Sequence, residues 1–177
     1  MKKEFQEKLD DLKSLMKDAL KDSKHSFRIF ALGSSSNTKP NIRTVVLRDF
    51  SLNNRNIDCH SDIRSPKINE LNQNNYVEAM FYCSDNKIQA RISGNVEIIH
   101  NNKETLDRWN SLTESSKRCY LGPYSPSTML ESYHANIPDD FKFKNPTPEQ
   151  SKIGYKNFVI IRIHFLKIDF LELKYSG

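Results

Sequence analysis

The sequence predicts a mainly β fold with peripheral helices, an α+β arrangement in which about six or seven mostly antiparallel strands close into a small barrel. Three observations carry this prediction. Short runs rich in aromatic and β-branched residues recur between residues 27 and 99, each bounded by Asn, Asp, Ser, Gly or Pro. Helical periodicity is confined to the first 22 residues and to the stretch 102–133. The 177 residues include only 5 glycines, none in a phosphate-loop pattern, which excludes a doubly wound nucleotide-binding sheet. Closure into a barrel would remove the sheet edges that such strands expose.

Each element has its own signal. In residues 1–22, Phe5, Leu9, Leu12, Met16 and Ala19/Leu20 recur every three or four positions with charges between them, which predicts an amphipathic helix packed on a core. Phe27–Leu32 and Ile42–Arg48 read as two strands of a hairpin around a turn at Ser34–Asn41. Asn56–His60 is a third strand. Ser65 and Pro66 suit the cap and first position of a short helix ending near Leu71. Tyr76–Cys83 and Lys87–Ile99 are two further strands, and Gly94 inside the second predicts a bulge or sharp bend. Residues 102–119 read as two short helices, and 127–133 as one more helical turn. Pro138, Pro146 and Pro148 mark 136–155 as a long loop. The final stretch, 157–174, reads as two strands meeting at Leu166-Lys167. The whole chain, 1–177, is expected to form a single domain.

Composition narrows the function. The chain is 37% hydrophobic and 28% charged, with a net charge of +5. Basic residues are scattered rather than clustered, which suits a small anionic ligand better than a nucleic acid. No apolar stretch reaches bilayer length, and acidic residues interrupt the N-terminus, so neither a membrane span nor a secretory leader is expected. Cys59, Cys83 and Cys119 are widely spaced and odd in number, which points to reduced thiols and a cytoplasmic location. His25, His60, His100, His134 and His164 lack metal-ligand spacing, so no metal is expected. Trp109 and the tyrosines 120, 124 and 133 read as packing residues, and Cys59 as a small buried hydrophobe.

Three motifs carry the chemistry. They are Arg43-Thr-Val-Val-Leu-Arg48, then His60-Ser-Asp-Ile-Arg-Ser-Pro-Lys67, then Gln89-Ala-Arg-Ile-Ser-Gly94. Arg43, Ser65 and Lys67 offer two cations and a hydroxyl, the donor set that a phosphate dianion requires. Ser65 also stands at a predicted helix start, where N–H groups and the macrodipole favour an anion. In this order the motifs resemble the R-x-V-x-L-[KR], T-[ND]-x-x-S-x-K and Q-x-R-x-x-G segments of the pyridoxamine 5′-phosphate oxidase family of FMN-binding split barrels.

The resemblance implies FMN as cofactor, with Arg43 and Lys67 on its phosphate. It implies that Thr44, Val45, Val46 and Leu47 offer strand backbone and apolar surface to the flavin ring, and that Arg48 is a cation near the substrate. It places His60 and Ser61 beside the ring or ribityl chain, Ser65 with the phosphate, and Gln89 on the polar edge of the ring. It further implies a homodimer with FMN at the interface and a small-molecule substrate. The region after Trp109, including Arg118, Tyr124 and Ser125, is the stretch expected to reach the partner's flavin. The expected activity is a flavin-dependent oxidoreductase, with no protein acid or base assigned. The alternative is a non-catalytic flavin carrier or sensor, or a barrel without cofactor. Residues 106–115 lack the Tyr-x-x-x-Arg pair that clamps pyridoxamine phosphate, and no R-x-H segment follows Leu173. Oxidation of pyridoxamine phosphate itself is therefore not expected. Arg64-Ser-Pro-Lys67 and Leu171-Glu-Leu173 resemble the family's uncharacterised branch instead.

Overall fold

The computed structural model describes residues 3–36 and 39–173. Six strands close into a barrel in the order β1-β2-β3-β6-β5-β4, with five α-helices among the described residues. The strands are β1 (Ile29–Ser36), β2 (Lys39–Ser51), β3 (Asn56–Asp62), β4 (Tyr76–Cys83), β5 (Ile88–His100) and β6 (Phe158–Glu172). The helices are α1 (Lys3–Lys21), α2 (Pro66–Gln73), α3 (Lys103–Asn110), α4 (Glu114–Lys117) and α5 (Pro148–Ser151). β1, β2 and β3 follow each other in the sheet, β4 and β5 form a hairpin, and β4 pairs antiparallel with β1. The last strand, β6, lies between β3 and β5.

The chain divides into two compact units. One comprises the chain up to Cys59, Glu70–Glu97 and the chain from Arg162 onward; the other comprises His60–Asn69 and Ile98–Ile161. Alternation builds the core of the first unit, because side chains at i and i+2 share a sheet face. Phe30, Leu32, Leu47, Val77, Ala79, Phe81, Ala90 and Ile92 all point inward and are buried. Phe81 stacks on Phe30 at 4.6 Å and tilts against Phe27 at 5.3 Å. Helix α1 buries Leu12, Met16 and Ala19, the i, i+4, i+7 stripe, while Phe5 is exposed. Arg28 closes that helix by donating from Nη1 to the carbonyls of Ala19 and Leu20 at 3.1 Å each, so two terminal carbonyls find a donor. The second unit is built on Ile99, Trp109, Phe158 and Ile160, with Leu112, Tyr120 and Tyr155 packed around them.

Several expectations are corrected. The hairpin strands continue past the expected turn, with Ser34 opposite Asn41 and Ser36 opposite Lys39. A bulge falls in β2, where the register shifts between Leu47 and Asp49, and the β4–β5 register runs through Gly94 without a shift. Gly94 keeps its pairing with Val77, and its lack of a side chain serves close packing instead: a Cβ there would lie 2.3 Å from the His164 carbonyl oxygen. Residues 157–174 form one strand to Glu172, not two, because the apolar run continues through Leu166 without a turn residue. The end of that range, Lys174, lies outside the described residues. Residues 127–133 are bends and turns rather than helix. The expected loop at 136–155 contains a 3₁₀ turn at Asp139–Phe141, α5, and a 3₁₀ helix over Lys152–Asn157. A capping box between Thr147 and Gln150, with Pro148 at the first position, starts α5. The three prolines suggested a loop, yet Pro148 is a helix-start signal.

Candidate functional site

The candidate residues fall into two groups, each within one unit. In the second unit, β3 ends at Asp62 and a tight turn leads to α2. Asp62 fixes that turn. Its Oδ1 accepts the Arg64 backbone N–H at 2.8 Å, and its carboxylate takes the Arg64 guanidinium at 3.0 and 2.7 Å. These bonds to Asp62 hold the Arg64 pKa above its ordinary value against the opposing effect of burial. Arg64 also donates to the Gly122 carbonyl at 3.0 Å, so it braces a loop. With the turn fixed, Lys67 Nζ donates to Ser61 Oγ at 3.2 Å. Ser61 and Ser65 are both buried. Helix α2 begins at Pro66, as expected, directly after Ser65.

The start of α2 has few spare backbone donors. Pro66 has no N–H, the Ser65 N–H donates to Asp62 O at 3.0 Å, and the Ile68 N–H donates to Ser65 O at 2.9 Å. An anion there would depend on side chains, namely the Lys67 ammonium with the Ser61 and Ser65 hydroxyls. That set, one cation and two hydroxyls drawn from the end of β3, the turn after it and the first turn of α2, fits a phosphate. His60 is half-buried and meets Phe158 edge-on at 4.8 Å.

The first unit carries the other candidates. Arg43 is not a solvated strand residue. Its Nη2 donates to Glu70 Oε2 at 2.6 Å and its Nη1 to Ser34 Oγ at 2.5 Å. Val45 lies opposite Phe30, and the fully buried Leu47 lies opposite Cys59, so the Leu47 side chain belongs to the barrel interior and only its backbone is available to a ligand. Thr44 and Val46 point the other way, Thr44 exposed and Val46 half-buried. Arg48 occupies the bulge. Its Nε is buried with no hydrogen-bond partner among the described residues, a donor placed for an acceptor that a ligand would bring. Burial lowers the Arg28 pKa, and the nearby Arg48 charge lowers it further, so two guanidiniums lie within electrostatic range. Gln89 is half-buried on β5 opposite the exposed Tyr82.

Other sequence readings have mixed outcomes. Trp109 and Tyr120 pack together at 5.6 Å, as expected of core aromatics. Tyr133, at 93% exposed, does not pack. Tyr124 meets His134 edge-on at 5.1 Å, and Arg118 donates to the Phe141 carbonyl at 3.1 Å. Cys59 is fully buried, consistent with a small hydrophobe. The sequence reading missed Ser34 and Glu70, whose only available signal was that Glu70 follows Lys67 by three positions on a predicted helix. It also missed the apolar outer face of β1, β2 and β4, which was legible in the alternation Tyr76, Met80, Tyr82.

Comparison with known proteins places these features in a family. Residues 9–100 match the model of the pyridoxamine 5′-phosphate oxidase FMN-binding domain. The chain is 28% identical over 145 residues to pyridoxine/pyridoxamine 5′-phosphate oxidase 2 of Arabidopsis thaliana, covering 78% of this chain and 69% of that protein. Among solved structures, a pyridoxamine 5′-phosphate oxidase-related, FMN-binding protein of Nostoc punctiforme superposes with a TM-score of 0.67 at 21% identity, over 94% of this chain and 84% of the other. PhzG of Burkholderia lata, solved with tetrahydrophenazine-1-carboxylic acid, superposes with a TM-score of 0.64 at 14% identity, over 95% and 81% of the two chains. These two likenesses establish a shared fold. The family match covers more than half of the sequence and includes all three motifs, and the chain belongs to the pyridoxamine 5′-phosphate oxidase FMN-binding domain family.

Proposed function

We propose that the protein binds FMN and acts as a flavin-dependent oxidoreductase on a small molecule. The observation that carries this reading is the contact of Lys67 with Ser61 at 3.2 Å, beside the buried Ser65 at the start of α2. A cation and two hydroxyls held together by a braced turn suit a terminal phosphate. Bound FMN would supply the electron-transfer chemistry. The chain's own residues bind and orient it. Lys67, Ser61 and Ser65 take the phosphate, as does Arg43. Thr44, Val45, Val46 and Leu47 offer strand backbone, with Val46 adding apolar surface. His60 flanks the ring or ribityl chain, and Gln89 donates to the ring's polar edge. Arg48 offers its buried Nε to an acceptor on the flavin or the substrate.

The same reading includes a homodimer. Ile29, Ile42, Met80 and Tyr82 lie on the outward side of β1, β2 and β4, and Ile42 is 76% exposed. A sheet face with this much apolar surface is unusual for a monomer and suits a self-complementary interface. In the double variant Arg43→Ala/Lys67→Ala, titration of apoprotein with FMN should show flavin retention abolished. Unchanged FMN stoichiometry and affinity in that variant would contradict the site assignment.

A further inference from the structure

Arg43, Ser34 and Glu70 form a closed triad. Arg43 Nη2 donates to Glu70 Oε2 at 2.6 Å, and Arg43 Nη1 donates to Ser34 Oγ at 2.5 Å. The Ser34 hydroxyl in turn donates to the same Glu70 Oε2 at 2.7 Å. Nη1 also faces the carbonyls of Asn41 at 3.3 Å and Leu32 at 3.5 Å. The triad joins β1, β2 and α2, and it is mostly shielded from solvent: the side chains of Arg43 and Glu70 are 22% and 16% exposed. All these bonds lie on the Nη1/Nη2 edge of the guanidinium, and Nε takes no part in the triad.

We infer that Glu70, with Ser34, is a positioning residue that fixes the Arg43 guanidinium for recognition of the FMN phosphate. This rests on the FMN-binding reading given above. A guanidinium has two edges suited to bidentate bonding of an oxyanion. Holding the Nη1/Nη2 edge jointly on the Ser34 hydroxyl and the Glu70 carboxylate fixes the plane and aims the other edge. An arginine already ordered by its neighbours loses less side-chain entropy when it binds an anion. A carboxylate near a phosphate also repels it, and the two effects have opposite signs. Here the Glu70 charge is spent on Arg43 at ion-pair distance and screened by the Ser34 hydroxyl, so the positioning effect wins. At metal sites, outer partners that orient a ligating side chain govern about 10–100-fold in affinity, and an arginine held for an anion follows the same logic.

The test compares FMN with riboflavin, which lacks the phosphate. Apoprotein of the wild type and of Glu70→Gln, Ser34→Ala, Arg43→Ala and Lys67→Ala would be titrated with each flavin, following fluorescence quenching. Glu70→Gln should weaken FMN binding about tenfold and leave riboflavin affinity unchanged. Ser34→Ala should act in the same direction by less, and it decides the matter if Glu70→Gln does not fold. Unchanged or tighter FMN binding in Glu70→Gln, or equal loss of both flavins, would overturn the positioning role. Loss of FMN affinity in Lys67→Ala alone would remove Arg43, and hence Glu70, from phosphate recognition. If neither Arg43→Ala nor Lys67→Ala alters FMN affinity, the phosphate-site reading itself fails.

Discussion

Asp58 and Arg162 face each other within the first unit, with Arg162 Nε on Oδ1 at 2.9 Å and Nη2 on Oδ2 at 2.8 Å. The Asp58 side chain is 2% exposed and that of Arg162 is 18% exposed. A buried pair of this kind adds little net stability over an apolar isostere, but breaking it leaves an uncompensated charge. Asp58→Ala is therefore expected to cost about 3–5 kcal/mol in urea unfolding. The double replacement Asp58→Ala/Arg162→Met should recover much of that. A single variant within 1 kcal/mol or so of the wild type would show that Arg162 reaches water easily. At this scale the sequence revealed which residues have chemistry but not whom they meet. Arg43 and Lys67 stand out as cations in recognisable motifs. Glu70 and Ser34, which occupy Arg43, come from other elements, and only the closed sheet and the register of α2 bring them together. Asp58 and Arg162 are 104 positions apart, and no periodicity links them.

Elements were read more reliably than their ends. Runs of β-branched and aromatic residues located all six strands, and the Leu12, Met16, Ala19 spacing located α1. Two of the corrections share a cause: Gly94 and Pro148 read as breakers, where close packing and helix capping decide otherwise. Gly94 illustrates this. It is required because β6 passes too close for any side chain, with the His164 carbonyl 2.3 Å from the position of a Cβ. Gly94→Ala should cost about 1–3 kcal/mol, the usual range for overpacking. Gly33→Ala is the control: its nearest neighbour, the Glu78 carbonyl oxygen, would be 3.5 Å away, an ordinary contact. Equal melting temperatures for the two variants would contradict the close-approach explanation. The bulge at Arg48 left no mark in the sequence, since no glycine accompanies it and the shift arises from pairing between β2 and β3.

For the whole molecule, family membership and barrel fold are established, and the proposal extends to assembly and cofactor. The outer face of β1, β2 and β4 is where the assembly can be tested. Ile42→Glu places a charge in the middle of that face, next to Gly33 in the sheet register. The variant should sediment as a monomer if this face forms the dimer, because a buried unpaired carboxylate is costly in an interface. A variant that stays dimeric would move the interface elsewhere. No helix among the described residues is long and apolar enough to cross a membrane. The measurement that bears most directly on the central claim is the visible spectrum of the purified protein, with chromatographic identification of any released chromophore. The account predicts an oxidised-flavin spectrum and FMN at about one per chain, or, for protein isolated without cofactor, a rise in melting temperature when FMN is added. A colourless protein whose melting temperature does not respond to FMN would contradict it.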